Sequence, residues 1–344
     1  MPDYQHLFDD RPIVAFDPPA FNSPILKPPN SNPPNLNAGC THSELAGGVL
    51  AGSLEQAADL ARPDRTVVHL CSPPAIRVEM LEQLAKLGFQ KIVVEKPLAV
   101  DEQDLAEIAG LRKRWHLDLA VVAPWLASSL TQRILQTLRS GELGTLRSVF
   151  VVQRKPRFTR SVSGCGHPTA FDIEIPHSVG VALAIAGHAN VCHARLTDMR
   201  FEDLVMPRLG SAWLSLDHEN GVCTEIHSDL TSPTRERRIT LKLEHGTMIG
   251  HYPNSEADHT AQLSTTGRGG ETRRVFHDDA LTTFILRTYE RFAARARDGG
   301  DLTLNVEVVQ LLSDAKRICM AGSHLGGDQL PRRYDGNGWG GRAY

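Results

Sequence analysis

No apolar run in this 344-residue chain comes near the roughly 20 residues that a membrane-spanning helix needs. The opening residues, MPDYQHLFDD, have neither a basic stretch nor an apolar one, so no secretory leader is expected. The six cysteines (Cys40, Cys71, Cys165, Cys192, Cys223, Cys319) form no C-x-x-C pair. Their scatter argues against a zinc knuckle or a disulfide framework and agrees with a reducing cytoplasm. Fifteen histidines include no H-E-x-x-H and no tight ligand cluster, so no metal is expected. The net charge is −3, which gives no reason to expect nucleic acid or an anionic membrane as a partner. The short run Arg235-Glu236-Arg237-Arg238 is broken by a carboxylate and reads as a solvated strand end.

The first half of the chain alternates short apolar runs with helical patterns. Pro12 to Phe16 reads as a buried strand, ended by Asp17 and Pro18-Pro19. The Pro- and Asn-rich stretch from Pro18 to Pro34 excludes helix and central strand. Leu54 to Ala61 reads as a short helix, Arg65 to Cys71 as a strand stopped by Ser72-Pro73-Pro74, and Ala75 to Leu87 as a helix ended by Gly88. Lys91 to Val94 is a further strand, with Glu95-Lys96-Pro97 at its carboxyl end. Asp101 is the N-cap candidate of a helix through Trp115. Asp118 to Ala123 reads as strand and Ser128 to Leu138 as helix. This alternation implies a parallel sheet with helices on both faces. Ligands of such sheets bind at the carboxyl ends of the strands. Asp17, Ser72-Pro73-Pro74, Glu95-Lys96-Pro97 and Pro124-Trp125 all fall at such ends, which points to one shared site.

From Thr145 the pattern changes. Leu146 to Gln153, Val191 to Leu196, Ser211 to Asp217, Val222 to Asp229, Arg238 to Leu243 and Thr247 to Tyr252 are strand-like at short spacing, with Gly or Asn turns between several of them. That is an antiparallel signature. One helix interrupts it, Pro176 to Ala186, and two close it, Asp279 to Ala296 and Asn305 to Ala321. Leu214 and Leu216 share one face of their strand, free either for subunit contact or for the closing helices. The expected plan is an α/β parallel-sheet domain over 1–125, an α+β domain with an open, mainly antiparallel sheet over 126–325, and an irregular Gly- and Arg-rich tail over 326–344.

The stretch CSPPAIRVEMLEQLAKLGFQKIVVEKPLAV (Cys71 to Val100) resembles the strand, prolyl loop, helix, strand and E-K-P run of the Gfo/Idh/MocA oxidoreductases, the glucose–fructose oxidoreductase and inositol dehydrogenase type. FDIEIPHSVGVALAIAG (Phe171 to Gly187) resembles that family's acidic-plus-histidine motif at the start of a substrate-domain helix. SGELGTLRSVFV (Ser140 to Val151) resembles the domain crossing. The resemblance implies a Rossmann-type first domain and hydride transfer between a nicotinamide and a sugar, cyclitol or similar polyhydroxylated substrate. It implies a homo-dimer or tetramer packed through the open sheet face.

It also implies roles for particular residues. Lys96 would stand at the reacting hydroxyl, and a buried lysine of lowered pKa suits proton transfer there. His177 would be the second proton-handling or orienting group. Asp172 would complete the catalytic set, or Glu174 would take that place on the substrate. The family's aspartate lies four residues before the histidine, and here that position is Ile173. Cys71, Ser72, Pro73, Glu95 and Trp125 would line the cofactor by their place at the strand ends; by position alone, Arg154 after the second domain's first strand and His167 in a loop over the cleft are candidates for the substrate, Arg154 reading otherwise as solvated charge. Cys71 reads foremost as a small buried apolar residue at a strand end, and Trp125 equally as core.

The front of the chain departs from the family. No G-x-G-x-x-G turn precedes Asp17, so the parallel-sheet domain is expected to be incomplete at its N-terminal side. Asp17 takes the place of the residue that accepts from the adenosine ribose, and its charge favours NAD over NADP. Three explanations stand side by side: a start downstream of the natural one, a shortened chain, or a protein that lacks the loop and has lost or reshaped cofactor binding. The last would make the protein a cofactor-free isomerase or lyase, or a binding or assembly subunit.

Overall fold

Short strands alternate with helices in the first part of the chain; only the central one is β-branched and buried, and the segment around Val14–Ala15, expected as a buried strand, is half-buried because it pairs only with the exposed Val49–Leu50. The computed structural model describes residues 13–16, 49–162, 167–255, 257–294 and 302–322. Strands β1 (Val14–Ala15) and β2 (Val49–Leu50) pair in parallel as a small sheet of their own. Helix α1 (Leu54–Leu60) follows, capped by the Ser53 hydroxyl, which accepts from Gln56 N–H at 3.1 Å. Strands β3 (Val67–Leu70), β4 (Lys91–Val94) and β5 (Asp118–Val121) then form a parallel sheet in that order, with α2 (Arg77–Lys86) and α3 (Glu102–Trp115) as crossovers. Central β4 is apolar at Ile92, Val93 and Val94 because both of its faces are covered. Asp101 does cap α3, accepting from Asp104 N–H at 3.0 Å, and Gly88 adopts the left-handed φ of +91° that ends the α2 segment.

Helices α4 (Pro124–Ala127) and α5 (Ser129–Ser140) carry the chain to a second sheet. Its elements are β6 (Leu146–Arg154), α6 (Phe158–Val162), α7 (Ile175–Ala186), β7 (Ala189–Leu196), the small hairpin β8 (Met199–Phe201) and β9 (Leu204–Met206), and β10 (Ser211–His218). After these come β11 (Cys223–Asp229), β12 (Glu236–Leu243), β13 (Gly246–His251), β14 (Thr260–Gly267) and β15 (Gly270–His277). Helices α8 (Ala280–Ala293) and α9 (Thr303–Gly322) follow. The sheet order is β15-β14-β13-β12-β6-β11-β10-β7. All neighbours are antiparallel except β6 and β11, which run parallel. The fold is therefore a Rossmann-type parallel sheet joined to an α+β unit with an open, mainly antiparallel sheet.

Strand alternation decides which face of the large sheet is covered. Val149, Val151, Leu214, Leu216, Ile226, Ile239, Leu241 and Met248 all turn inward and pack with Leu130 and Ile134 of α5, Val179 of α7 and Leu311 and Leu312 of α9. Leu214 and Leu216 thus belong to the helix-covered core and are not available for subunit contact. The opposite face presents Trp213, stacked on His227 with ring centroids 4.7 Å apart. Helix α9 serves both cores: Val309 packs with the parallel sheet, Val308 and Leu311 with the large one. Among the described residues no helix is long and apolar enough to cross a membrane. Asp17 and the 326–344 tail lie outside the described residues.

Candidate active site

The carboxyl ends of β3 and β4 are locked together by an arginine that the sequence reading passed over. Arg77 is 1% exposed. It donates to the Ser72 carbonyl at 2.8 Å, to the Leu98 carbonyl at 3.5 Å and to the Pro97 carbonyl. Burial pulls its pKa down to about 10, against the opposing charges of Glu95, Cys71 and Asp104. Its signal was available: Arg77 precedes Met80, Leu81 and Leu84 at helical spacing, so it sits in the apolar stripe of α2. Glu95 continues the ladder, its N–H bonding the Leu70 carbonyl at 3.1 Å. The Lys96-Pro97 peptide is cis.

Lys96 and His177, 81 positions apart in the chain, meet here. The Lys96 ammonium donates to the Ile173 carbonyl just ahead of α7, and His177 stands in the first turn of that helix. Burial lowers the Lys96 pKa; Glu174 and Glu95 oppose this, while Arg157 and Lys155 add to it. Burial, with Lys96 second, drives the His177 pKa down to about 3, so the ring is neutral at physiological pH. Trp125 stacks on His177 with centroids 5.9 Å apart and on Tyr252 at 4.0 Å. The Tyr252 hydroxyl is bonded to Thr131 at 2.8 Å. Trp125 is therefore both core and site wall, at 7% exposure. A cavity of about 20 Å³, room for about one water, is lined by Lys96, Trp125 and His177.

The two acidic candidates go to different places. Glu174 bonds Lys155 at 2.8 Å. Burial pushes its carboxyl up, but Lys155, His177 and Lys96 outweigh this and hold it at about 2. Asp172 instead closes a capping box with Thr169 and pairs with Lys316 of α9 at 2.5 Å. That contact ties α9 to the segment ahead of α7, and Lys316 also reaches the Val100 carbonyl at 3.3 Å. The structure thus groups Glu174, not Asp172, with Lys96 and His177. His167 lies close enough to Lys96 that burial and this charge hold its pKa at about 4.

Other sequence-level candidates are placed apart or differently. Arg154 faces the outer side of the sheet and pairs with Glu236 at 3.3 Å. Cys71 is exposed, contrary to its reading as a buried apolar residue: the chain turns outward after Leu70, where β3 ends. Pro73 is also exposed. Arg237 is no solvated strand end. The pleat turns it inward opposite Gln153, it donates to the Pro253 carbonyl at 2.9 Å, and its charge acts on His177.

Several buried polar atoms around the site have no hydrogen-bond partner: the Ser72 hydroxyl, both amide atoms of Gln153, the hydroxyls of Ser178 and Ser228, and His167 Nδ1. Each such group costs about 1–3 kcal/mol unless water or a ligand satisfies it. Gln153 also escaped the sequence reading. Its signal is parity, since it is a polar residue at an inward position after Val149 and Val151.

No protein-family model matches the sequence, and no curated protein matches it. Solved structures do match in fold. KijD10, a 3-ketoreductase from Actinomadura kijaniata in complex with TDP-benzene and NADP, superposes with a TM-score of 0.65 at 16% identity, over 79% of this chain and 82% of that one. An oxidoreductase from Agrobacterium radiobacter in complex with NAD+, L-tartaric acid and magnesium gives 0.61 at 18% identity, over 80% and 83%. The UDP-N-acetylglucosamine 3-dehydrogenase GnnA from Acidithiobacillus ferrooxidans gives 0.59 at 17%, over 80% and 82%. At these identities the likeness establishes that the chain has the fold of these oxidoreductases.

Proposed function

We propose that the protein is a nicotinamide-dependent oxidoreductase of the Gfo/Idh/MocA type, moving hydride between NAD(H) and a carbinol carbon of a small polyhydroxylated substrate such as a sugar or cyclitol. One observation carries the reading: a half-buried lysine at a parallel-strand end meets a half-buried, neutral histidine in the first turn of α7. The fold neighbours support it, being a ketoreductase, a tartrate-bound oxidoreductase and a sugar-nucleotide dehydrogenase.

The residues at the strand ends fit a nicotinamide nucleotide. The unpartnered Ser72 hydroxyl would be satisfied by its polar groups, and Ser72, Glu95, Lys96 and Trp125 would border it. Bound there, the nicotinamide supplies the hydride acceptor or donor. Lys96 takes the hydroxyl proton in oxidation and returns it in reduction, because burial makes its neutral amine accessible. His177, neutral, orients the same oxygen by a hydrogen bond. Glu174 neutralises Lys155 and sets the charge around both groups. NAD is proposed over NADP from the charge of Asp17. The domains are proposed to divide near residue 125, and the outer face of the large sheet is proposed to join two copies of the chain.

Titrating the full chain with NADH while following nicotinamide fluorescence tests the reading. Saturable binding is expected, together with reduction of NAD+ by at least one member of a panel of sugars, sugar acids and cyclitols. Lys96→Ala should keep NADH binding and lose turnover by roughly 100- to 10,000-fold, the usual worth of acid–base catalysis. No NADH binding, or full turnover by Lys96→Ala, would sink it.

A further inference from the structure

The His177 ring must keep its plane without a hydrogen bond to hold it. A neutral imidazole has one N–H and one lone pair, both lying in the ring plane. Rotating the ring therefore aims both away from the oxygen that His177 has to meet. The usual restraint is a bond from the second ring nitrogen to a carbonyl or carboxylate. Among the described residues no group bonds either ring nitrogen of His177. The Glu174 carboxylate, whose charge acts on the ring, is bonded to Lys155 instead.

What holds the ring is a stack of three aromatic side chains. Trp125 lies 5.9 Å from His177 with 21° between the planes, and Tyr252 lies 4.0 Å from Trp125 with 15° between them. Trp125 has little support of its own, since α4 has four residues and no side-chain cap. Tyr252 is fixed at both ends. Its N–H bonds the Arg237 carbonyl at 2.9 Å, and its hydroxyl is bonded to Thr131 at 2.8 Å. Both residues are fully enclosed, and burial pushes the phenol up, so it stays neutral. Thr131 stands in the first turn of α5. That turn is held in place by the buried Asp278 carboxylate, which accepts from the Ser128 hydroxyl at 2.6 Å and the Ser129 N–H at 2.7 Å. The fixed end of the stack is therefore Tyr252, and the end left without a hydrogen bond is His177.

We infer that Tyr252 is a positioning residue: through Trp125 it fixes the plane of the His177 imidazole at the reacting oxygen. The effect on turnover rests on the redox reading, whereas the effect on the ring does not. Flat faces pressed together transmit orientation, because tilting one ring opens a gap against the next and forfeits its contacts. Misplacing a group at the reacting centre by about 1 Å costs on the order of 100-fold in rate. The phenol ring carries this function, and the Thr131 bond serves only to anchor it.

Proton NMR of the His177 ring in the full chain, assigned with His177→Asn, tests it together with steady-state kinetics on the best substrate of the sugar, sugar-acid and cyclitol panel. In the wild type the two ring C–H signals should be narrow and displaced by the Trp125 ring current. Tyr252→Leu should broaden them and return them toward free histidine. Its kcat should fall roughly 10- to 100-fold, with KM within about threefold of wild type. Tyr252→Phe keeps the ring and should restore both the signals and kcat to within about threefold. Leu241→Val, in the same core but off the stack, should lower stability and leave both readouts unchanged. If Tyr252→Leu loses its cooperative melt, Tyr252→Met replaces it with the same expectation. The inference is overturned if the His177 signals do not respond to loss of the Tyr252 ring, or if they respond while kcat stays within twofold of wild type. It is equally overturned if Tyr252→Phe rescues nothing, or if Leu241→Val disturbs the signals as much. Absence of NADH binding sinks the redox reading alone, and the ring signals then decide whether Tyr252 sets the plane.

Discussion

Acidifying the protein should leave His177 uncharged until about pH 3. Burial is the main cause and the Lys96 ammonium the second, with Glu174 pulling the other way. A fall from 6.5 to about 3 corresponds to about 5 kcal/mol against protonating the folded state, at about 1.4 kcal/mol per unit. The sign comes from the proton count. Between pH 6.5 and about 3 the unfolded chain holds this proton and the folded chain does not. Stability is therefore fully present above 6.5 and falls as pH falls through that window. His167, held at about 4, acts in the same direction. At about pH 4.5 each histidine should have cost about 3 kcal/mol relative to neutral pH. Glu174 adds its own loss only below its ordinary 4.5, as pH approaches about 2. Urea unfolding across this range, with long-range proton–nitrogen NMR of the His177 ring, measures both quantities. Lys96→Met should raise the His177 pKa while leaving it below 6.5, because burial remains. A His177 that titrates within one unit of 6.5 in the wild type, or a stability that is flat down to about pH 4.5, would refute the reasoning.

Three further outcomes are expected. Arg77→Met should cost about 2–4 kcal/mol in urea unfolding, since two close carbonyl contacts lose a charged donor, partly offset by relief of the buried charge that holds its pKa near 10. Faster amide exchange around Glu95 to Leu98 should accompany it. Lys316→Met should cost about 3–5 kcal/mol by stranding the Asp172 carboxylate, and the double variant with Asp172→Asn should recover part of the loss; full stability of the single variant would show the pair to be unimportant. Gly246→Ala should lower stability by about 1–3 kcal/mol, because the added Cβ would lie 2.2 Å from the Thr266 carbonyl oxygen and one strand must shift; an unchanged melting temperature would contradict this.

The elements of the first part were written locally. The apolar run Lys91 to Val94, the Asp101 cap and the left-handed Gly88 each follow from a few neighbouring residues, and the structure forms each of them. Strand β15 was not legible, because its residues are exposed on both faces and carry no alternation. Nor was the parallel β6–β11 pairing, since local periodicity carries no strand direction. Within the site, Lys96 and His177 could be named from their motifs. Their surroundings could not. Asp172 and Glu174 are near neighbours in sequence, yet a turn ahead of α7 sends one to Lys316 and the other to Lys155. Arg154 and Arg237 each lie in charged stretches, and only strand register turns the first outward and the second toward His177.

Sequence by itself thus determined the alternating strands and helices from Val67 to Ser140 and which side chains are able to move a proton. Tertiary structure decided which of them are dehydrated together. Burial, and charges brought from distant strands, set the neutral histidine and the lowered lysine, and those depend on contacts between residues far apart in the chain.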